Sequence, residues 1–282
     1  MSAVAQPAAT PAPAPHAGLF GPDSVTWRVN REMVLLAAGG RALLLQVAHP
    51  LVAAGVEQHS NYQADPWGRL YRTLDLTTKI VFGDPETSGQ ASRRLQGVHR
   101  RVQGRSDENV SYDARDPALL TWVWATLVDS SLLVYTRYVQ PLSPDEVERY
   151  YEEQKRFAHA CGIPEGAYPA DHAAFRAYWA GMVRDELRVT PAARAVADAV
   201  LHPKLPVALR PAAWGPLELL NLVTVGLLPP GLREGYGLEW GPRRERVLGA
   251  STAAIRRALP LLPSLLREFP PARVAARRAR PV

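Results

Sequence analysis

The chain alternates apolar stretches with short polar connections, and this pattern predicts helices along most of its length. Its longest apolar stretches are Ala42–Val56 and Ala118–Tyr135. A side chain that can cap a helix stands directly before a proline at five sites, which are Asp65-Pro66, Asp84-Pro85, Asp116-Pro117, Ser143-Pro144 and Thr190-Pro191. Because proline suits the first turn of a helix, each pair predicts a helix start. Ser143 and Glu146 add a capping box.

Helices are predicted near 28–48, 50–59, 66–82, 85–104, 117–139, 144–161, 171–187, 191–201, 213–227 and 243–258. The chain shows no alternating strand pattern bounded by hairpin-turn residues. The helices at 28–48 and 117–139 are apolar nearly all round, which places them at the centre of the fold. Asp129, near the middle of the second helix, favours a protein core over a membrane span. We therefore predict an all-α fold, a single multi-helix domain packed around central apolar helices.

Composition divides the 282 residues into three parts. Residues 1–18 are rich in Ala and Pro and lack the basic and apolar regions of a signal peptide, so we predict a disordered leader and a cytoplasmic protein. A helical domain is predicted over 19–268. Residues 269–282 are predicted to be a basic, flexible tail.

Charge is concentrated at the C-terminal end of the chain. Residues 243–282 hold ten arginines against two glutamates, a local charge of +8, so the net charge of +6 leaves about −2 for the rest. The last arginines are not interleaved with aromatic residues, which argues against nucleic-acid binding. This distribution favours a solvated tail or weak contact with a membrane surface.

Residue spacing excludes several familiar sites. Cys161 is the single cysteine, so disulfide frameworks, four-cysteine metal sites and C-x-x-C pairs are excluded. The chain has no P-loop, H-E-x-x-H or G-x-S-x-G motif, and no Glu precedes a His by three positions. After these exclusions, histidine is the remaining candidate for a metal-ligating side chain.

His99 is the most informative histidine. It borders a helical stripe formed by Ala91, Leu95, Val98 and Val102, so it can point inward. A neutral imidazole at an apolar cavity suits axial ligation of a haem iron. A core histidine bonded to a carbonyl fits the same pattern.

Two further groups of residues carry candidate chemistry. Arg69, Arg72 and Thr73 lie at i, i+3 and i+4 and share one helix face, which suits haem propionates or bound oxygen at a cavity and is an ordinary solvated face otherwise. His49 precedes Pro50, which predicts a break in the first long helix. At that corner His49 serves either as a proton carrier or as a structural cap.

Several segments together resemble one known family, the MpaB oxygenase and rubber oxygenase (latex-clearing protein) catalytic domain. The segments are GPDS at 21–24, GGRALLLQVAHP at 39–50, DPWGRLYRTL at 65–74, Val98-His99, Trp122-Val123, ATLVDS at 125–130 and GLLPPGLRE at 226–234. The resemblance implies a helical catalytic domain with a buried pocket for one haem b, which is used with dioxygen. Characterised rubber oxygenases cleave the carbon–carbon double bonds of polyisoprene.

The resemblance also assigns roles to residues. It implies that His99 is the axial iron ligand and that Arg69, Arg72 and Thr73 lie by the haem. Arg72 stands where latex-clearing proteins carry a lysine, and a guanidinium cannot ligate a metal. Glu57 is the candidate for the family's carboxylate base, with His49 as another basic group, and Trp124 stands where relatives often carry a histidine.

The function expected from the resemblance is a haem b-dependent oxygenase. It would act with dioxygen and an unspecified electron donor on an apolar isoprenoid, terpenoid or lipid-like molecule, with oxidative C=C cleavage as one outcome. The alternative is a non-catalytic helical protein that binds haem or lipid.

Overall fold

The computed structural model describes residues 18–60, 66–203 and 210–279. Its α-helices in chain order are α1 (Val25–Asn30), α2 (Leu36–Val47), α3 (Pro50–His59), α4 (Pro66–Phe82), α5 (Pro85–His99), α6 (Pro117–Tyr138), α7 (Pro144–Ala160), α8 (His172–Gly181), α9 (Pro191–Leu201), α10 (Arg210–Gly226), α11 (Pro230–Gly235), α12 (Pro242–Ala258), α13 (Ser264–Arg267) and α14 (Pro270–Arg278). Short 3₁₀ turns lie at Met33–Leu35 and Leu259–Leu261, and a π-helical turn at Met182–Glu186. The all-α prediction is confirmed.

Helices α2 and α6 form the centre of the molecule, as their apolar sequences predict. They pack extensively on each other, and α2 also contacts α3, α9 and α10. Helix α6 has the length and composition of a membrane span, but two-thirds of its apolar window is buried inside the protein. That burial is typical of a core helix.

The described capping residues act as predicted. Asp84, Asp116, Ser143 and Thr190 each accept a hydrogen bond from a backbone N–H in the first turn of the following helix. The capping box of Ser143 and Glu146 is complete. Asp65 lies outside the described residues.

The predicted helix over 28–48 is wrong in its first half. The chain instead forms α1, an extended residue at Glu32, a 3₁₀ turn and then α2. Glu32 leaves the helical conformation because its backbone bridges to Glu268 and its buried carboxylate accepts two hydrogen bonds from Arg267. At the other end, α2 stops at Val47 and the chain turns by 106° into α3, which confirms the break at Pro50.

A small antiparallel sheet was not predicted. The predicted helix over 85–104 ends at His99, and strands β1 (Gln103–Arg105) and β2 (Ser111–Asp113) follow. Each strand has three residues, too few for an alternating pattern to stand out.

The prediction of a flexible tail over 269–282 is wrong for residues 270–278, which form α14. Ala272 and Ala275 are buried, and α14 packs on α4. Arg278 pairs with Asp84 and donates to the carbonyl of Phe82. Small residues between the arginines give α14 a face that fits closely against another helix. Residues 1–17 of the predicted leader lie outside the described residues.

Candidate functional site

Helices α4 and α5 form a hairpin that positions the residues singled out by the sequence. The two-residue connection Gly83–Asp84 joins them, Asp84 caps α5, and the Ser88 hydroxyl donates to the carbonyl of Ile80 at 3.0 Å. In such a hairpin, positions equally distant from the connection lie opposite each other. The turn that contains Arg69–Thr73 and the turn that ends at His99 therefore both lie in the halves of these helices that are remote from the connection.

His99 is the last residue of α5 and is half-buried. It continues a helix face that begins with the buried Ser88 and includes the half-buried Leu95. Burial lowers the pKa of its imidazole below the ordinary 6.5. Neither ring nitrogen hydrogen-bonds to any residue that the structure describes. Val98 was wrongly assigned to the buried stripe, because it is 49% exposed.

The cationic run on α4 is only partly described. The backbone of Arg69 belongs to α4, but its side chain lies outside the described part of the structure. Arg72 and Thr73 have exposed side chains. The run thus reaches the surface at the end of the hairpin where His99 lies. Its contact with a cofactor stays a prediction.

His49 lies at the sharp corner between α2 and α3. It is the N-cap residue of α3, but its side chain makes no capping hydrogen bond. Its Nδ1 is buried without a partner among the described residues. Burial lowers the pKa of the imidazole, and the charges that act on it come from Glu186, Asp116 and Arg188. Its described surroundings are the start of α6 and the π-helical turn.

Glu57 is exposed on the last turns of α3. It makes no hydrogen bond or ion pair with a residue inside the described ranges. The nearby Gln58 and His59 do bond, to Arg105 and Gln103 of the small sheet. The role of Glu57 as a proton acceptor stays a prediction.

A cavity of about 120 Å³ is lined on one side by the residues of α4 that follow Thr73. Its lining is mostly apolar and comes from α1, α2, α4, α6 and α7, with Phe269 at one side. Thr77 lines it one turn after Thr73. Pockets for drug-sized ligands measure roughly 300–1,000 Å³, so this cavity fits part of an apolar molecule.

The sequence did not reveal the central ion pair. Arg41 on α2 and Asp129 on α6 are almost fully buried, with Arg41 Nη2 at 2.8 Å from Asp129 Oδ2. Arg176 of α8 contacts the other carboxylate oxygen at 3.0 Å. The signal was an aspartate inside an apolar helix, since a buried carboxylate needs a cation beside it. Trp124, at the position compared with histidine in relatives, donates to the Gln154 carbonyl in the core.

The side chains that could ligate a metal are dispersed in the described part of the structure. Within the described ranges, no three His, Cys, Asp or Glu side chains cluster in a way that could hold a metal. A haem brings four of its own iron ligands and needs one protein nitrogen. His99 meets that need because its imidazole is neutral, half-buried and not engaged by another described group.

Comparison with known proteins identifies the family of this chain. The family model for the "ER-bound oxygenase mpaB/B'/Rubber oxygenase, catalytic domain" matches residues 27–257. Two uncharacterized proteins, from Mycobacterium bovis and Mycobacterium tuberculosis, are each 30% identical over 240 residues. The matches cover 82% of this chain and 90% of each relative. No solved structure gives a significant match.

Proposed function

The chain belongs to the mpaB/B'/rubber oxygenase catalytic-domain family, and on this premise we propose that it is a haem b-dependent oxygenase that uses dioxygen on an apolar substrate. The observation that carries the proposal is His99, a neutral imidazole free of hydrogen bonds to the described residues. It ends α5, which packs on the helix that carries Arg69, Arg72 and Thr73. Haem b, when bound, supplies the binding and activation of dioxygen with electrons from a separate donor.

His99 would hold the iron. Metal ligation needs the neutral form of imidazole, and burial keeps the pKa of His99 low enough for that form to dominate at neutral pH.

Arg69, Arg72 and Thr73 would fix the cofactor from α4. Haem propionates are carboxylates, and a guanidinium binds carboxylates through paired hydrogen bonds. Arg72 stays protonated at any physiological pH, so its role is to bind an anionic group and never to ligate iron. Thr73 adds a hydroxyl donor on the same face. These donors would also polarise oxygen held nearby.

The apolar cavity next to α4 would receive part of the substrate. Leu74, Thr77 and Val81 connect it to the helix that carries the cationic run. Its lining orients an isoprenoid, terpenoid or lipid-like chain by shape and excludes water from it. The protein therefore contributes orientation and a dry environment.

A basic group would accept or carry a proton, and His49 suits this better than Glu57. His49 has an unpartnered buried Nδ1, and its lowered pKa keeps a lone pair available at neutral pH. Glu57 is exposed to solvent. His49→Phe is therefore expected to lower turnover more than Glu57→Gln, at unchanged haem content.

Absorption spectroscopy tests the ligand assignment. The protein, purified from cells with adequate haem supply, should show a Soret band that His99→Ala weakens or shifts. His202→Ala is the matched control, because His202 is exposed and its partner within the described ranges is Asp198 on α9. An unchanged spectrum for His99→Ala would reject the assignment.

Labelled dioxygen tests the reaction. With isoprenoid alkenes and a reductant, double-bond cleavage places both oxygen atoms in carbonyl products, whereas a monooxygenase incorporates one atom. A protein that binds haem or an apolar ligand but consumes no dioxygen would instead be a carrier. That result would overturn the oxygenase proposal, and the assignment of His99 as iron ligand would stand only for a protein that binds haem.

A further inference from the structure

A group of exposed leucines lies between α12 and α14. Leu261 is 83% exposed, Leu265 68%, Leu266 60% and Leu262 40%. We call these four residues the leucine patch. Single exposed apolar residues are common, but four large ones within six positions mark an interaction surface.

The leucine patch is held firmly on the body of the protein. Arg267, next to it, donates from Nε and Nη2 to the two carboxylate oxygens of Glu32, both at 2.8 Å, and the Glu32 carboxylate is fully buried. The Phe269 backbone N–H donates to the Arg31 carbonyl at 2.8 Å, and Leu259 is buried on the other side. The exposure of the leucines is therefore a fixed feature of the fold.

Arginines flank the leucine patch along the chain. Residues 256–278 contain six arginines and one acidic residue, Glu268, a net charge of +5. Arg267 and Arg278 pair with Glu32 and Asp84. Three others, Arg256, Arg257 and Arg277, are exposed and make no ion pair within the described residues. The surface thus combines an apolar centre with uncompensated positive charge.

We propose that the leucine patch docks on an anionic lipid surface. Leucines of this kind enter the boundary between headgroups and acyl chains, while flanking arginines bind lipid phosphates. The positive charge around the leucines is complementary to such a membrane, whereas a second copy of this chain would bring the same positive charge against it.

Docking would also bring the apolar cavity close to the lipid. Phe269 lines that cavity three residues after Leu266. A lipid-soluble substrate would then reach the cavity without crossing water, a consequence that rests on the proposed function. The docking itself needs neither haem nor turnover.

Vesicle flotation with the full chain tests the docking. We expect binding to phosphatidylcholine vesicles that contain phosphatidylglycerol, much weaker binding to phosphatidylcholine alone, and partial release by high salt. The double variant Leu265→Ser, Leu266→Ser should lower the partition coefficient at least about tenfold. Arg256→Gln with Arg257→Gln should weaken binding to the anionic vesicles and reduce its salt dependence.

Val110→Ser is the matched control. Val110 is 47% exposed beside the small sheet, far along the chain from the leucine patch, and this change should leave vesicle binding intact. Circular dichroism confirms that each variant is folded. The proposal is overturned if the wild type does not float with anionic vesicles, or if the leucine variant floats equally well. A dimer that dissociates in the leucine variant, without vesicle binding, would assign the patch to self-association.

The two proposals fail separately. Vesicle binding is measured without haem or substrate, so its failure leaves the Soret result for His99 standing. Likewise, a Soret band that does not change in His99→Ala would leave the flotation result intact.

Discussion

Arg41 and Asp129 form a buried ion pair that joins the two central helices. The Arg41 guanidinium lies 2.8 Å from the carboxylate, and it also donates to the Leu227 carbonyl and the Ser130 hydroxyl, each at 2.7 Å. Desolvation lowers the pKa of Arg41, and the adjacent Asp129 opposes that shift. One side chain thus satisfies groups on α6 and at the end of α10, and fixes both against α2.

Breaking this pair on one side should be costly. Among the described residues, Arg41→Met leaves the buried Asp129 paired with Arg176, whose side chain is 59% exposed. We expect a loss of roughly 3–5 kcal/mol in the free energy of unfolding, measured by urea denaturation. Arg115→Ala, which breaks an exposed pair with Asp113, should change stability little.

The double variant Arg41→Met, Asp129→Leu completes the cycle. Because it removes both charges, it should recover most of the stability that Arg41→Met loses. A double variant as unstable as the sum of its single changes would contradict the view that the unpaired carboxylate causes the loss.

Two neighbouring glycines of α2 should respond in opposite ways to alanine. A Cβ at Gly40 would lie 2.5 Å from the Thr224 hydroxyl of α10, whereas a Cβ at Gly39 meets nothing within 4 Å and projects beside the cavity. We expect Gly40→Ala to cost about 1–3 kcal/mol through overpacking. Gly39→Ala should add about 0.5–1 kcal/mol by removing backbone freedom from the unfolded chain.

Thermal unfolding followed by circular dichroism measures both glycine changes. Thr224→Ser removes a methyl group but keeps the hydroxyl. Adding it to Gly40→Ala should therefore recover only part of the stability that Gly40→Ala loses. Equal effects of the two glycine changes would mean that α2 and α10 are not in close contact at Gly40.

Helix α14 should support the hairpin of α4 and α5. Ala275 is 4% exposed on the face packed against α4, so Ala275→Glu buries an unpaired charge and should cost more than about 2 kcal/mol. Val274→Glu, at the adjacent exposed position, is the control and should be nearly neutral. Urea denaturation compares the two, and equal stability would restore the flexible-tail interpretation.

Local signals predicted the helices well because their causes are local. A capping oxygen before a proline acts within one turn, so Asp84, Asp116, Ser143 and Thr190 could be placed from the sequence. The apolar composition of α6 likewise requires burial wherever its neighbours lie. The half-buried position of His99 followed from helical spacing, which also wrongly buried Val98.

Relationships between distant residues could not be predicted in this way. Glu32 is extended because of Glu268 and Arg267, more than two hundred residues later, and nothing near Glu32 indicates it. Asp129 showed that a cation was needed but not that Arg41 would supply it. Helix α14 has an arginine-rich sequence typical of a solvated tail, and only its fit against α4 makes it part of the core.

The buried histidines should make the protein less stable in mild acid. Burial lowers the pKa of His49 and His99 in the folded state below the ordinary 6.5. Between the pKa of each imidazole in the folded protein and its ordinary value of 6.5, the unfolded chain binds more protons than the folded one. The stabilisation from these histidines therefore falls as the pH drops through 6.5, and the fall levels off below the folded-state pKa. Urea denaturation at a series of pH values measures this loss for the protein without haem.

The variant His99→Gln separates the two contributions, since it removes one titrating group and leaves His49. It should reduce the acid-induced loss of stability without abolishing it, and His49→Gln with His99→Gln should reduce it further. NMR titration of the wild type should place both imidazole pKa values below 6.5. If His99→Gln kept the full loss, the ring of His99 would be solvated in the folded state. The neutral imidazole that iron ligation requires would then not come from burial.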